Sequence, residues 1–451
     1  MKVLIIGTGY VGINTGAVLA YLGHDVTCLD VNEEKIALLK EGKSPIWEPH
    51  LDDVLAQARQ NLTFTTSYKE ANIPSTDVIF ITVGTPSLPD GNADLRYVRQ
   101  AAESIAENLD ENFTVIVNKS TVPIGSGNWV EAIMHEHFEN THTNGSRVDF
   151  NVVSSPEFLA QGSAMHDSFY PNRIVVGSQD ERSIKRLEEL FRPLLEQDFA
   201  APDGLPRPEG LNEVPLVVCD LTSAEMIKYA ANAFLALKIS YINEIGRLAE
   251  KLGADIDAVA KGIGLDQRIG NRFLNAGLGW GGSCFGKDTA ALVAIARDYK
   301  LEMPIIESAR QVNYSQRTLI VDRLQEKLKI LKGKKVCLLG FSFKPNTDDL
   351  RDAPSIDISK VLIRRGALVR AHDPVALENA RRQYKDLGVV FCDTEAEALK
   401  GAEAIILVTE WPQYRDLDWS AVPAVPIVDG RNFLDREALE QLGFSVIGIG
   451  R

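Results

Sequence analysis

No run of about 18 consecutive apolar residues occurs anywhere in the 451-residue chain, so no membrane-spanning helix is expected. The opening Met1-Lys2-Val3-Leu4-Ile5-Ile6-Gly7 runs directly into a strand and lacks a signal-peptide core with a cleavage site, which leads to the expectation of a cytoplasmic protein. Cysteine is scarce. Cys28, Cys219, Cys284, Cys337 and Cys392 lie far apart with no C-x-x-C pair, which excludes zinc-site spacing and a disulfide framework and makes reduced thiols the default. The seven histidines show no H-x-x-x-H spacing, and no metal is signalled. Basic residues are also in deficit: 48 Lys and Arg face 62 Asp and Glu, a net charge of -14 that repels nucleic acid and anionic membrane as bulk partners. An anionic ligand therefore needs a local cationic pocket. What is present is an ordinary globular balance, 45% hydrophobic and 24% charged, which excludes a disordered or collagen-like chain, and the length suggests about three domains.

The strand-like run Lys2 to Ile6 ends in Gly7, and Val26-Thr27-Cys28-Leu29 ends in Asp30, with an Ala/Leu-rich helical stretch between them: a βαβ opening. Buried-strand patterns follow at Val78 to Val83, Val115 to Val117 and Val152-Val153, separated by helical patterns such as Leu95 to Leu109 and Trp129 to Phe138. That alternation predicts a parallel, doubly wound sheet. Ala201 to Pro215, with four prolines and two glycines, reads as a linker or surface insertion. Thr222 to Leu252 then reads as one long helix with Ser223 or Thr222 as N-cap, followed by helical patterns at Asp255 to Gly262, Thr289 to Asp298 and Glu307 to Lys329. The last third repeats the first. Lys335 to Gly340 answers to Lys2 to Gly7, Gly366 with Asp373 answers to Gly23 with Asp30, and Glu403 to Thr409 answers to Asp77 to Val83. The expected architecture is α/β, two Rossmann-like domains joined by an all-helical middle domain, with divisions at 1–210, 211–320 and 321–451. The second half carries Gly340-Phe341-Ser342-Phe343-Lys344-Pro345 where the first has its glycines, so its turn cannot hold a pyrophosphate in the same manner.

Gly7-Thr8-Gly9-Tyr10-Val11-Gly12 fits G-x-G-x-x-G between a strand and a helix, where glycines permit a tight turn and close approach of a pyrophosphate to a helix N-terminus. Asp30, eighteen residues beyond Gly12 at a strand end, is placed to take ribose hydroxyls and repel a 2′-phosphate, which favours NAD over NADP. Gly281-Gly282-Ser283-Cys284-Phe285-Gly286-Lys287-Asp288 puts a thiol in a glycine-flanked loop before the Thr289 to Asp298 helix, where the helix N-terminus and Lys287 both favour the nucleophilic thiolate. The other four cysteines, on strand-like runs or at the end of one, read as small buried hydrophobes. Lys228 and Asn232 share one face of the long helix and suit stabilisation of a developing oxyanion, although a solvated helix lysine has the same spacing. Lys119-Ser120-Thr121-Val122-Pro123 and Ser154-Ser155-Pro156-Glu157-Phe158-Leu159 follow strands, where open α/β sheets bind ligands, so Thr121 and Glu157 could meet near a cofactor. Arg268, Lys344, Arg351 and Arg431 suit anion contacts and equally suit plain surface charge.

Taken together with Gly84-Thr85-Pro86, Arg268-Ile269-Gly270 and Phe343-Lys344, this ordered set resembles the UDP-glucose 6-dehydrogenase family, within the wider group of nucleotide-sugar dehydrogenases, over nearly the whole chain. The resemblance implies a four-electron oxidation of the sugar C6 alcohol of UDP-glucose to a carboxylate, at the expense of two NAD molecules. It implies that Cys284 traps the aldehyde as a thiohemiacetal and later holds a thioester. Lys228 and Asn232 would stabilise oxyanions, Asp288 and Thr121 would position water and relay protons, and Glu157 would assist thioester hydrolysis. NAD would be held by Gly7, Gly9, Tyr10, Val11, Gly12, Asp30, Lys35, Thr85, Pro86, Thr121 and Gln161, with Lys287 and Arg351 reaching it from elsewhere. Substrate would meet Glu157, Phe158, Leu159, Lys228, Asn232, Phe273, Leu274, Asn275, Ala276, Gly277, Gly281, Lys344 and Arg431. Arg268 would enter from a partner subunit, in a homodimer or higher assembly built on the long helix.

Two departures from the family pattern stand out: Gln161 where many relatives carry a glutamate, and Gly286 where proline or glutamine is frequent. Rival readings are a sister enzyme acting on GDP-mannose or a UDP-N-acetylhexosamine, a two-electron β-hydroxyacid dehydrogenase, and a non-catalytic NAD sensor. The β-hydroxyacid dehydrogenase also uses a K-x-x-x-N pair but needs neither Cys284 nor a second Rossmann-like half, and a sensor has no chemical use for Cys284, Lys228, Asn232 and Asp288 together.

Overall fold

The computed structural model describes residues 1–86, 88, 93–141 and 148–451. Its first sheet grows from β1 (Lys2–Ile6), β2 (Asp25–Leu29), β3 (Leu62–Thr65), β4 (Val78–Ile81), β5 (Thr114–Asn118), β6 (Phe150–Ser154), β7 (Ile174–Gly177) and β8 (Leu216–Cys219). The central strands β1 and β4 carry apolar residues in succession because both faces of the sheet are buried there. Along β1, Val3 and Ile5 enter one hydrophobic cluster while Leu4 and Ile6 enter the other. The strand order is β3-β2-β1-β4-β5-β6-β7-β8, with every neighbouring pair parallel except β6 and β7. Chain order reverses direction between β1 and β4, which opens a crevice at the carboxyl ends of those two strands.

The second sheet contains β9 (Lys335–Leu339), β10 (Leu368–His372), β11 (Val389–Phe391), β12 (Ala404–Leu407), β13 (Pro426–Asp429) and β14 (Ser445–Ile447). Its order, β11-β10-β9-β12-β13-β14, is wholly parallel and reproduces the first six positions of the other sheet, as the sequence repeat predicts. Here too the alternation divides one strand between two cores: Val336 and Leu338 face one, Cys337 and Leu339 the other.

In the chain, the helices Leu221–Leu252, Ile256–Gly264, Ser283–Asp298 and Pro304–Leu328 come after the strands of the first sheet and before those of the second. Contact density divides the chain into two compact units, Met1–Ala230 and Ala231–Arg451, and the 32-residue helix Leu221–Leu252 starts in the first and continues in the second. The expected boundary at 210 lies before β8, which pairs with β7 as part of the first sheet. Three local expectations are corrected. The long helix is capped by Asp220, whose Oδ1 accepts the Ser223 N–H at 2.8 Å and whose Oδ2 accepts the Ser223 hydroxyl at 2.7 Å, so Ser223 is a partner of the cap. The segment 201–215 has no helix or strand, but it is more than a surface insertion: Leu205 and Val214 are buried in the first core, and Tyr170 Oη donates to the Leu205 carbonyl at 2.7 Å. The helix expected from Thr289 begins six residues earlier, at Ser283, because Gly282 takes φ +84° and turns the chain at its N-cap.

Candidate active site

At the crevice between β1 and β4 the three glycines of the fingerprint have three different reasons. Gly7 has φ +98°, and a Cβ there would lie 2.9 Å from the Thr82 carbonyl oxygen. A Cβ on Gly12 would lie 1.8 Å from the Gly7 oxygen and 2.5 Å from Thr82 Oγ1, so helix and strand approach too closely for any side chain. A Cβ on Gly9 would meet nothing within 4 Å, which leaves the helix N-terminus open on that side, where a dinucleotide's phosphates would approach. The residues present fit that group. Asp30, just past β2, accepts the Thr8 N–H and hydroxyl at 2.8 Å each through Oδ2 and the Asn32 N–H at 3.0 Å through Oδ1. Burial pushes its carboxyl up, but these donors and Lys35, 3.8 Å away, outweigh that and hold it below the usual range, so it stays an anion.

Around this turn, Val11 is partly buried in the first turn of the helix Tyr10–Tyr21, and Pro86 is exposed. Thr85 Oγ1 donates to the Thr121 carbonyl at 2.7 Å, joining the segments that leave β4 and β5. Tyr10 is committed elsewhere: its hydroxyl bonds the buried carboxylate of Glu48, which also accepts the Gly162 and Ala164 N–H groups at 2.7 Å. Glu48 thereby fixes the loop holding Gln161, a role that no pattern in the sequence announced.

A cationic cluster stands at the ends of β5 and β6. Lys228 is 4% exposed, which overturns the solvated-lysine alternative; its ammonium donates to Glu157 Oε1 at 2.8 Å. Glu157 Oε2 accepts the Leu159 N–H at 2.6 Å. Burial pushes the Glu157 carboxyl up, and Lys228, the Leu159 amide and Lys119 more than reverse this and keep it ionised. Lys119 donates to the Ser155 carbonyl at 3.3 Å. Burial pushes its ammonium down to about 8, against the attraction of Glu157 and with the repulsion of Lys228. Phe158 lies beneath Arg173, 3.6 Å from ring centroid to guanidinium carbon, and 5.5 Å from Lys228 Nζ. Lys119 belongs to the Lys119-Ser120-Thr121-Val122-Pro123 motif, which signals a strand end, whereas Arg173 lies in no motif and carries no signal in the sequence.

In the second unit, Asn232 Nδ2 donates to Asp288 Oδ2 at 2.6 Å, both side chains being buried. Asp288 Oδ1 is buried without a hydrogen-bond partner, and Lys287 Nζ lies 3.4 Å from it as an ion pair. Cys284 is exposed, in the first turn of the helix Ser283–Asp298 and one turn before Asp288. The Arg351 guanidinium, forked onto Asp349 with contacts of 2.6 and 3.0 Å, lies near enough for its charge to interact with the Cys284 thiol. Cys28 is buried and pushed up to about 12, and Cys337 and Cys392 are buried as well, while Cys219 is half-buried. The glycines before Cys284 serve packing. A Cβ on Gly281 would meet the Asp352 carbonyl at 2.6 Å, and one on Gly282 would meet the Phe343 ring at 2.8 Å. The helix Pro304–Leu328 holds this segment from behind: Asn313 bonds both the N–H and the carbonyl of Trp280, at 2.7 and 3.0 Å, and buried Arg317 reaches Trp280 O at 2.9 Å and Asp352 Oδ1 at 2.7 Å.

Of the residues 273–277, Phe273 and Asn275 are exposed, whereas Leu274 and Ala276 turn their side chains into the core, so only their backbone can face a ligand. Gly277 must be small, since a Cβ would stand 2.9 Å from the Gly430 oxygen. Arg431 donates to the carbonyls of Val408, Phe343 and Gly279 at 2.8, 3.2 and 3.3 Å, and Lys344 lies over Phe343 at 5.7 Å. Arg268 is apart from this cluster, exposed and forked onto Asp266. Asp373, the counterpart of Asp30, is fully buried and accepts from Phe341, Ser342, Val375, Ala376 and Trp411, with no face left for a ribose.

Among the described residues no cluster of His, Cys, Asp and Glu is arranged to hold a metal ion, and no helix is long and apolar enough to cross a membrane. Residues 1–195 match the NAD binding domain of the UDP-glucose/GDP-mannose dehydrogenase family, 222–315 its central domain and 337–436 its UDP binding domain. A UDP-glucose 6-dehydrogenase of Bacillus subtilis is 42% identical over 457 residues, covering all of this chain and 98% of that one. One from Rhizobium meliloti is 43% identical over 461 residues and covers both chains fully. The structure of a UDP-glucose dehydrogenase from the hyperthermophilic archaeon Pyrobaculum islandicum has a TM-score of 0.86 at 39% identity, over 96% of this chain and 94% of that one.

Proposed function

The chain belongs to the UDP-glucose/GDP-mannose dehydrogenase family, and from that premise we propose that it oxidises UDP-glucose to UDP-glucuronate with two NAD per turnover. The observation that carries the chemistry is an exposed cysteine in the first turn of a helix, one turn before a buried Asp288–Asn232 pair. NAD, when bound, accepts a hydride in each of the two oxidations. Gly7, Gly9 and Gly12 shape its phosphate turn, Asp30 with Lys35 receives its ribose, and Thr85 and Thr121 line its approach; Lys287 and Arg351 are assigned to it as well.

The first oxidation removes a hydride and a proton from the C6 alcohol and leaves an aldehyde. An aldehyde has no transferable hydride on a tetrahedral carbon until a nucleophile adds. The Cys284 sulfur forms a C–S bond to that carbon, and the carbonyl oxygen takes up the charge and a proton, giving a thiohemiacetal. Loss of the second hydride and the hydroxyl proton leaves a thioester on Cys284. Water then adds, the C–S bond breaks, and the carboxylate leaves with the thiol restored. Lys228 and Asn232 supply N–H donors for the transient oxyanions. Asp288, with one carboxylate oxygen free of hydrogen bonds, and Thr121 are assigned to water and proton positioning, and Glu157 to the hydrolysis. The UDP portion falls to the second Rossmann-like half, with Lys344 and Arg431 as its cations and Phe273 to Gly277 as its cover. The division into 1–210, 211–320 and 321–451, a homodimer that receives Arg268 from its partner, and a cytoplasmic location complete the reading.

The test is the number of NADH formed per limiting UDP-glucose, with GDP-mannose and UDP-N-acetylglucosamine run alongside and Cys284→Ala as control. Two NADH per UDP-glucose, and no glucuronate from the variant, are expected. A single NADH, or unchanged glucuronate from Cys284→Ala, overturns the cysteine mechanism. Two NADH from another sugar nucleotide alone moves the substrate, and no turnover with any of them favours the sensor.

A further inference from the structure

One buried carboxylate is used by none of these steps. Glu225, 3% exposed and near the start of the helix Leu221–Leu252, accepts the Gly125 N–H at 2.5 Å through Oε2 and the Gly127 N–H at 2.8 Å through Oε1. Gly125 takes φ +96°, and a Cβ at Gly127 would stand 3.0 Å from Leu221 Cδ2 and 3.3 Å from Glu225 Oε1. Both glycines are thus conditions of the contact. The amides belong to the segment that follows Thr121 and opens the helix Ser126–Thr141. That segment is held at its other end by Thr85 on the Thr121 carbonyl, at 2.7 Å. Three residues after Glu225, on the same face of the same helix, Lys228 holds Glu157 at 2.8 Å. A single turn of helix therefore grips the chain leaving β5 through Glu225 and the chain leaving β6 through Lys228.

We propose that Glu225 is a positioning residue: by clamping Gly125 and Gly127 it sets the place of Thr121 relative to the Lys228–Glu157 pair. This rests on the reading of function given above, in which Thr121 and Lys228 act on one reacting centre. The groups that face the carboxylate are the amides of Gly125, Ser126 and Gly127, with Leu221 from its own helix, and among the described residues no charged side chain forms an ion pair with it. Burial pushes its carboxyl up to about 7, though the three amides pull the other way. The ionised form is the one that accepts at both oxygens; once protonated, one oxygen becomes a donor and one glycine amide loses its acceptor. The clamp is therefore firm above neutral pH and slackens below it.

Glu225→Gln in the full-length protein tests this, since an amide keeps the shape and removes one acceptor. Two readouts are taken: kcat and KM across pH, and hydrogen exchange of peptides spanning 119–130 without ligand. The variant should lose roughly tenfold in kcat, with KM shifted far less, because displacement of a catalytic group taxes the chemical step. It should lack an acid limb near neutrality that the parent shows, and the amides of residues 122 and 124–128 should exchange faster. Parent-like kcat, acid limb and exchange in the variant overturn the proposal. Should Glu225→Gln not fold, Gly127→Ala perturbs the same contact from the other side: the same kcat loss and faster exchange support the clamp, and parent-like values overturn it. A parent protein inert toward UDP-glucose refutes the functional reading instead, while the exchange comparison still decides whether Glu225 holds the segment.

Discussion

Lys228 and Glu157 show how one side chain can serve both stability and chemistry. Both are buried, 2.8 Å apart, and removing one charge leaves the other without its partner. Lys228→Met should abolish turnover and cost ~3 kcal/mol of stability, read from urea unfolding, because breaking a buried pair strands an uncompensated ion. Lys119 nearby keeps the loss from being larger. The carboxyl of Glu157 is held below its ordinary range in the folded protein, so the pair's contribution is present above the carboxylate range and is lost as pH falls through the folded value. The variant should accordingly lose less stability than the parent on acidification, in the same unfolding experiment repeated at lower pH. Asp30 gives a second case. Its Oδ2 is already taken by Thr8, so Asp30→Ala should both relax the preference for NAD over NADP, read as a ratio of kcat/KM values, and loosen the Gly7 turn. An unaltered ratio would count against its ribose role. At this scale Asp30 and Cys284 stand out as candidates from residue type and spacing, Lys228 and Asn232 do so weakly, and Asp288 enters through the family resemblance. Glu48, Arg173 and Glu225 were not, because each acts on a partner distant in the chain and carries no motif.

The element that matters most for the thiol is the first turn of the helix Ser283–Asp298. The sequence places Cys284 in a glycine-flanked loop; the glycines are there for contact, since Gly281 and Gly282 lie against Asp352 and Phe343. Gly282 also needs φ +84° to act as the N-cap. Gly282→Ala forces a Cβ to within 2.8 Å of the Phe343 ring and strains the backbone, costing about 1–3 kcal/mol. Thermal unfolding should show that loss, and alkylation of Cys284 by iodoacetamide should change rate as the turn moves. An alkylation rate identical to that of the parent would mean that the turn does not place the sulfur. The long helix taught the complementary lesson: Ser223 and Asp220 both suit an N-cap, and only the structure shows that Asp220 accepts and Ser223 donates. Helix existence was readable from periodicity, whereas its first residue depended on which of several capping side chains folded back.

At the scale of the whole chain, the duplicated sheet was legible because strand, glycine and acid recur in the same order, and the structure returns the same strand order twice. The functional difference between the halves lies in how each acid is used. Asp30 keeps a partly open flank, while Asp373 is enclosed by five partners, so the second half retains the fold of a nucleotide turn without its ribose site. Assembly is the remaining property of the whole molecule. Phe234, Tyr241, Leu248 and Leu252 fall at sevenfold and fourfold intervals along one helix and are 60%, 49%, 55% and 73% exposed, an apolar stripe of coiled-coil spacing. A second copy of the same helix fits such a stripe, since in a twofold contact residue i meets residue j and j meets i, which lays one apolar stripe on the other. The purified protein should therefore sediment as a dimer or a larger assembly. Phe234→Glu combined with Leu248→Glu should weaken association by more than about a hundredfold, because truncating buried aromatic and aliphatic anchors costs around 2 kcal/mol or more each. Sedimentation at micromolar concentration reads the shift directly, and Arg268, assigned to a partner's site, ties it to function: dissociation should raise KM for UDP-glucose in step with the monomer fraction. A double variant that sediments like the parent would remove the stripe from the interface, and a monomer with parent-like KM would remove Arg268 from the site.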